Sequence, residues 1–90
     1  MMEEYKYTPG GRRLTKHATH RLADRSVDVD DVINNFSQRF FQNDGAQVFV
    51  QRQGANRYDI VVVDDGWIVT ILTGVSKHEL RNLARNYGWR

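Results

Sequence analysis

The chain has 90 residues, of which 40% are hydrophobic and 27% charged, and it contains no cysteine. That size suits one domain around a single core, and the lack of cysteine excludes a disulfide framework and thiolate zinc ligation. The longest uninterrupted apolar run, Ile60–Val63, is far too short to span a bilayer as a helix, and no charged-then-apolar leader opens the chain. The net charge of +2 is unevenly spread: residues 1–25 carry six Lys or Arg against three acids, residues 26–75 three against seven, and residues 76–90 four against one. If the two ends meet in the fold they form a basic face suited to phosphate; the plainer alternative is that these charges solvate two helices.

In residues 1–13, Pro9-Gly10-Gly11 is a strong breaker, so this stretch reads as a loosely fixed arm or a loose strand. Arg12 and Arg13 stand just before the first helix, within reach of a phosphate. Residues 14–35 read as two short helices joined by a tight turn. Thr15 caps the first, which runs to about Asp24 with Leu14, Ala18 and Leu22 as its apolar stripe. His17, Arg21 and Arg25 recur every four residues on the neighbouring face, beside Lys16, so an imidazole and two guanidiniums stack into an anion site. Asp28 opens the second helix in a pattern like a capping box with Asp31, and Val27 and Val32 form a hydrophobic staple.

Phe36, Phe40 and Phe41 then read as core residues, in a strand or connector, rather than as a stacking platform for bases. After the Asn43-Asp44-Gly45 turn come three strands. Ala46–Gln53 alternates like a half-buried strand, Arg57–Asp64 is apolar on both faces and so central, and Trp67–Thr73 returns after the Asp65-Gly66 hairpin. Gly74 ends that strand. Ser76 and Glu79 form the capping box of a last helix with Leu80, Leu83, Ala84 and Tyr87 on its buried face. Lys77, Arg81 and Arg85 make a basic stripe, Gly88 a left-handed cap, and Trp89 packs back on the last turn. The expected fold class is α+β: two N-terminal helices packed on one face of a small twisted antiparallel sheet of three to four strands, closed by a C-terminal helix.

His17 and His20 have a spacing that can chelate, but no third ligand is evident and arginines surround the pair, so neither a metal nor a cofactor is expected. What remains is His, Arg and hydroxyls, the set that cleaves RNA without metal: a base for the 2′-hydroxyl proton, cations for the phosphorane charge and an acid for the leaving oxygen. His17 suits either proton role, Arg21 and Arg25 suit phosphate oxygens, and Thr70 is a hydroxyl on an otherwise apolar strand face. Thr73 and Tyr58 are weaker candidates of the same kind. Each of these residues also has an ordinary structural reading, a solvated helix face or a hydroxyl satisfied within the sheet.

The run Leu14-Thr15-Lys16-His17 followed by Arg21, Arg25 and a strand with Ile68-Val69-Thr70 resembles small bacterial domains of the RelE, barnase, EndoU and colicin (BECR) ribonuclease superfamily. The likeness covers roughly residues 14–73. It implies metal-independent cleavage of RNA, such as tRNA or mRNA, by a toxin that a cognate antitoxin or immunity protein holds inactive in the cytoplasm of a bacterial cell. Carried over by position, His17 is the acid/base, Arg21 and Arg25 the phosphate clamp and Thr70 a hydroxyl at the scissile phosphate. Arg12, Arg13, Lys16, Thr73, Lys77, Arg81 and Arg85 are the expected substrate-binding residues. The alternatives on the same scaffold are a non-catalytic antitoxin, immunity or regulatory partner protein, and an RNA-binding module.

Overall fold

The computed structural model describes residues 6–23 and 27–90. The elements run β1 (Lys6–Tyr7), β2 (Arg13–Leu14), α1 (Lys16–Ala23), α2 (Val29–Asn34), β3 (Gln38–Phe41), β4 (Gln47–Gly54), β5 (Arg57–Asp64), β6 (Trp67–Val75) and α3 (Lys77–Asn86). One six-stranded sheet holds every strand of the described residues, in the order β1-β2-β6-β5-β4-β3. The β3-β4-β5-β6 meander is antiparallel, but β2 lies parallel to β6, with Arg13 beside Trp67 and Leu14 beside Ile68.

This corrects the expected architecture of a three- to four-stranded antiparallel sheet under two N-terminal helices: the sheet is larger and mixed. The helices are also divided between its two faces. On one face, Ala18 of α1 and Val29 and Val32 of α2 pack with Leu14, Phe49, Val61, Ile68 and Ile71. On the other, Leu80 and Leu83 of α3 pack with Val48, Val50, Ile60, Val62 and Leu72. Among the described residues the N-terminal helical segments cover eight and six residues, and the longest helix is the C-terminal one, of ten.

The reason lies in the central strand. Ile60 and Val61 are completely buried on opposite faces, and Val62 nearly so, so β5 needs an apolar layer on each side. Phe49 is buried as well, so β4 is covered on both faces at its middle and is not the half-buried strand its alternation suggested. Strands β1 and β3 fall in the stretches read as a loose strand or arm and as a strand or connector, but two or four residues carry too little periodicity to fix their pairing.

Local chemistry sets the helix ends. The Thr15 hydroxyl accepts from Ala18 N–H at the start of α1, and Asp28 Oδ1 accepts from Asp31 N–H at the start of α2. Asp31 does not close a reciprocal box, because its carboxylate takes bonds from Asn35 and Gln51 instead. Ser76 and Glu79 do form the full capping box of α3. At the other end Gly88 has φ +62°, and a Cβ there would collide with the Asn43 amide. Trp89 donates its backbone N–H to Ala84 O in the last turn of α3, and its ring stacks on Phe40 at 5.4 Å with the indole N–H on Gln42, which ties the helix end to β3. Strand β6 continues through Gly74, at φ +67°, to Val75. Phe36 and Phe41, expected in the core, are 43% and 46% exposed.

The N-terminal arm is fixed by one carboxylate. Asp30 Oδ1 accepts from the Thr8 hydroxyl and from Arg12 Nη1, both at 2.7 Å, while Oδ2 accepts from Gly10 N–H at 2.7 Å. Gly10 approaches so closely that a Cβ there would lie 2.7 Å from Asp30 Oδ1. The Pro9-Gly10-Gly11 turn closes with Thr8 N–H on Arg12 O and Gly11 N–H on Thr8 O. The arm is therefore a hairpin latched to α2, and it adds β1 and β2 to the sheet.

Burial pushes the Asp30 carboxyl up, but bonds from Thr8, Gly10 and Arg12 and the Arg12 charge outweigh it and hold it below its ordinary value of 3.8. A lowered carboxylate stabilises the fold above the unfolded value and loses that contribution as pH falls through the lower folded value. Asp30→Asn should therefore reduce stability at pH 7 by about 1.5–3 kcal/mol, the worth of hydrogen bonds to a charged group. Urea unfolding of both proteins at several pH values checks this: the difference is full above about pH 5 and shrinks as pH falls below about 3.8.

Candidate functional site

The first residues of α1 and the middle of β6 meet at a cavity of about 400 Å³ on the α3 side of the sheet. His17 and Arg21 line it from α1, Val69, Thr70 and Leu72 from β6, and Leu83 and Tyr87 from α3. Gln42, Asp44 and Trp89 contribute at the end nearest β3.

Two features of the chain build this arrangement. Strand β2 pairs with β6 only as far as Ile68, and α1 begins two residues after Leu14, so the helix runs beside β6 where the sheet has no further partner. Ala18 points to the core on one face, while His17 and Arg21 reach the cavity on the other. The second feature is a β-bulge: Val63 pairs with Ile68 but Val62 with Thr70, leaving Val69 as an extra residue. Val69 and Thr70 consequently both line the cavity, together with His17 and Arg21.

Arg21 Nε donates to His17 Nε2 at 3.2 Å, one helical turn apart. In this contact Nε2 takes the acceptor role. Among the described lining residues Arg21 is the single Lys or Arg, and Asp44 and Asp64 are the acids. The Ala46 N–H and the Gln42 side chain bond the Asp44 carboxylate and hold it below the ordinary range.

The other sequence candidates are placed differently. Arg25 lies outside the described residues. Arg12 is committed to Asp30 and, through Nη2, to Asn34 Oδ1 at 3.0 Å, which makes it a structural residue of the arm. Arg13 lies over the Trp67 ring, 4.3 Å from its centre. Lys16 is exposed on α1 and is not among the lining residues. Thr73 donates its hydroxyl to the buried Asp59 at 2.7 Å, a bond internal to the sheet. Lys77 and Arg81 line a separate cavity of about 280 Å³ between α3, Gln38 and Phe40, in which Tyr58 is buried. Arg85 lines neither cavity. Among the described residues the basic side chains of the two chain ends therefore do not line a common cavity.

Sequence reasoning missed Tyr87, Gln42 and Asp44. Tyr87 belongs to the apolar stripe of α3 by spacing, yet at the C-cap it is 52% exposed and sits on the cavity wall. Among the described residues no group of three or more His, Cys, Asp or Glu side chains is gathered so as to hold a metal, and His17 and His20 have no such third member. Among the described residues no helix is long and apolar enough to cross a membrane.

Compared with known proteins, the chain matches no protein-family model, no characterised protein and no solved structure.

The hydroxyl at the bulge separates two roles. Thr70→Val keeps shape and β propensity, and Thr70 is only half-buried, so the melting temperature should move by no more than a few degrees. Binding of inorganic phosphate in the cavity, followed by calorimetry, should weaken in Thr70→Val and disappear in Arg21→Ala. Unchanged affinity in both would place the anion elsewhere.

Proposed function

We propose that the chain is a metal-independent endoribonuclease acting at the cavity between α1, β6 and α3. The observation that supports this most is the convergence on one open cavity of the neighbouring pair His17 and Arg21 with Thr70, which lies 49 residues beyond Arg21 in the sequence. An imidazole, a guanidinium and a hydroxyl are the groups that internal phosphodiester transfer requires. The likeness to the BECR superfamily, carried by the same residues, leads to the same activity.

The chemistry follows from the resting bond between the two α1 side chains. Arg21 holds the His17 Nε2 lone pair until a phosphate arrives. The phosphate oxygens then draw the guanidinium into a charge-assisted pair and release Nε2. His17 Nε2 removes the 2′-hydroxyl proton, the 2′-oxygen attacks phosphorus, and Arg21 with the Thr70 hydroxyl neutralises the charge on the non-bridging oxygens. The bond from phosphorus to the 5′-oxygen breaks, and the departing oxygen takes a proton from the Tyr87 phenol on the facing wall. Products are a 2′,3′-cyclic phosphate and a 5′-hydroxyl. A protein that inhibits this reaction would have to cover the same cavity, where Tyr87 offers an exposed aromatic anchor.

Purified protein incubated with total RNA in excess chelator should yield fragments ending in cyclic phosphate. His17→Ala should lower the cleavage rate by roughly 100-fold or more, with little change in melting temperature because the ring is exposed and Ala favours the helix. Arg21→Lys keeps the charge but loses the planar fork, and a clear rate loss is expected even there. Fragments ending in 3′-hydroxyl, or cleavage abolished by the chelator, would overturn the mechanism. RNA bound with steep salt dependence but left intact would make the protein a binding module instead.

A further inference from the structure

Strand β3 ends the sheet on one side, and part of its outer edge is already paired: Phe41 N–H donates to Arg90 O and Arg90 N–H to Phe41 O, both at 2.9 Å. That reciprocal pair is antiparallel. Alternate residues of such a strand turn both backbone groups to the same side, so Arg39 presents its N–H and C=O along the same edge. Among the described residues no strand lies there. We propose that this open edge takes up an extended acidic segment of a partner protein, which adds as an antiparallel strand beside Arg39 and lays alternate side chains against Lys77 and Arg81 of α3.

Both sides of the edge offer a surface to such a strand. On the α3 side lies the cavity of about 280 Å³, with Gln38 and Phe40 on one wall, Lys77 and Arg81 on the other, and Trp89 stacked on Phe40. Lys77 and Arg81 are exposed and one helical turn apart, and among the described residues no ion pair or side-chain hydrogen bond takes up either. On the opposite side Arg39 shares a face with Phe49, on which Phe36 packs, and its guanidinium lies over the Phe41 ring. Phe36 and Phe41 are both exposed, so that side is apolar beside one cation.

These surroundings select the occupant. The cavity lining holds two cations and no acid, and Arg39 adds a third positive charge across the edge, so a basic segment is repelled and an acidic one attracted. An added strand points successive side chains to opposite faces while its backbone supplies the hydrogen bonds. Acidic residues on the α3 side meet Lys77 and Arg81, and apolar residues between them cover Phe36 and Phe41. Of the groove's lining residues only Trp89 also lines the His17 cavity. A segment docked here leaves that cavity open, so the surface tethers a partner without blocking the site, and the inference stands apart from the ribonuclease reading.

Calorimetric titration with end-blocked octapeptides tests the surface. A peptide of alternating valine and glutamate should bind at least about tenfold more tightly than one of alternating valine and lysine, because exposed ion pairs replace like-charge contacts. The residue paired with Arg39 shares its face, so the valines turn their N–H groups to β3. Methylating the valine nitrogens should therefore abolish binding, and methylating the glutamate nitrogens should be tolerated. Lys77→Glu combined with Arg81→Glu should remove the advantage of the glutamate peptide. Both side chains are exposed and Glu suits the first turn of a helix, so this variant should keep its melting temperature and its binding of inorganic phosphate at Arg21. Equal binding of the two peptides, tolerance of methylated valines, or no binding of the glutamate peptide at about 1 mM would overturn the proposal. Binding of an oligouridylate, lost in the double Glu variant, by a protein that ignores the peptides would make the groove a path for RNA phosphates instead.

Discussion

The structure depends on the burial of β5 from both sides. A strand carrying Ile60, Val61 and Val62 without a polar interruption has no face to give to water, so each face has to be covered by something apolar. The chain meets that requirement with short elements: α1 and α2 on one face, α3 on the other. Dividing the helices leaves α3 to cover its face alone, and a ten-residue helix does not span it. The uncovered part of that face, between the C-terminal end of α3 and the β6 side of the sheet, is where the His17 cavity lies. The site is thus a by-product of how the core is closed.

The arm is the second constraint, and it acts through Asp30. One carboxylate holds a hydroxyl, a backbone N–H and a guanidinium from a five-residue stretch, Thr8 to Arg12, and this brings β2 alongside β6. Where that pairing stops at Ile68, α1 starts, and its position decides which way His17 and Arg21 face. Removal of the latch would therefore be felt at the cavity as well as in the arm. The Arg12 guanidinium, which by sequence looks like another phosphate ligand, is consumed in building the scaffold.

His17 and Arg21 were legible from their spacing alone, because a four-residue step on a helix puts two side chains within reach whatever surrounds them. Their 3.2 Å contact is of this kind. Thr70 was legible only as an odd hydroxyl on an apolar strand; its place beside them comes from the bulge at Val69, which leaves no mark in the pattern of residue types. Thr73, three residues on, looked equivalent and is not, since the Asp59 carboxylate takes its hydroxyl. Tyr87 was hidden by the opposite effect: its helical spacing says core, but it sits where α3 has ended and the wall of the cavity begins.

By itself the sequence determined what depends on neighbours in the chain: the caps at Thr15, Asp28 and Ser76, the hairpin at Asp65-Gly66, the left-handed Gly88, the central apolar strand and the His17–Arg21 pair. These are local because hydrogen bonding within a turn and side-chain contact within a helix are set by backbone geometry over three or four residues. Only the tertiary structure decided the mixed six-stranded sheet, the division of the helices between its faces, the commitment of Arg12 to Asp30 and the separation of the Lys77–Arg81 stripe from the His17 cavity. Strands two residues long carry no readable period, and a charged side chain reads alike in sequence whether its partner is a phosphate or, as for Arg12, a carboxylate 18 residues away.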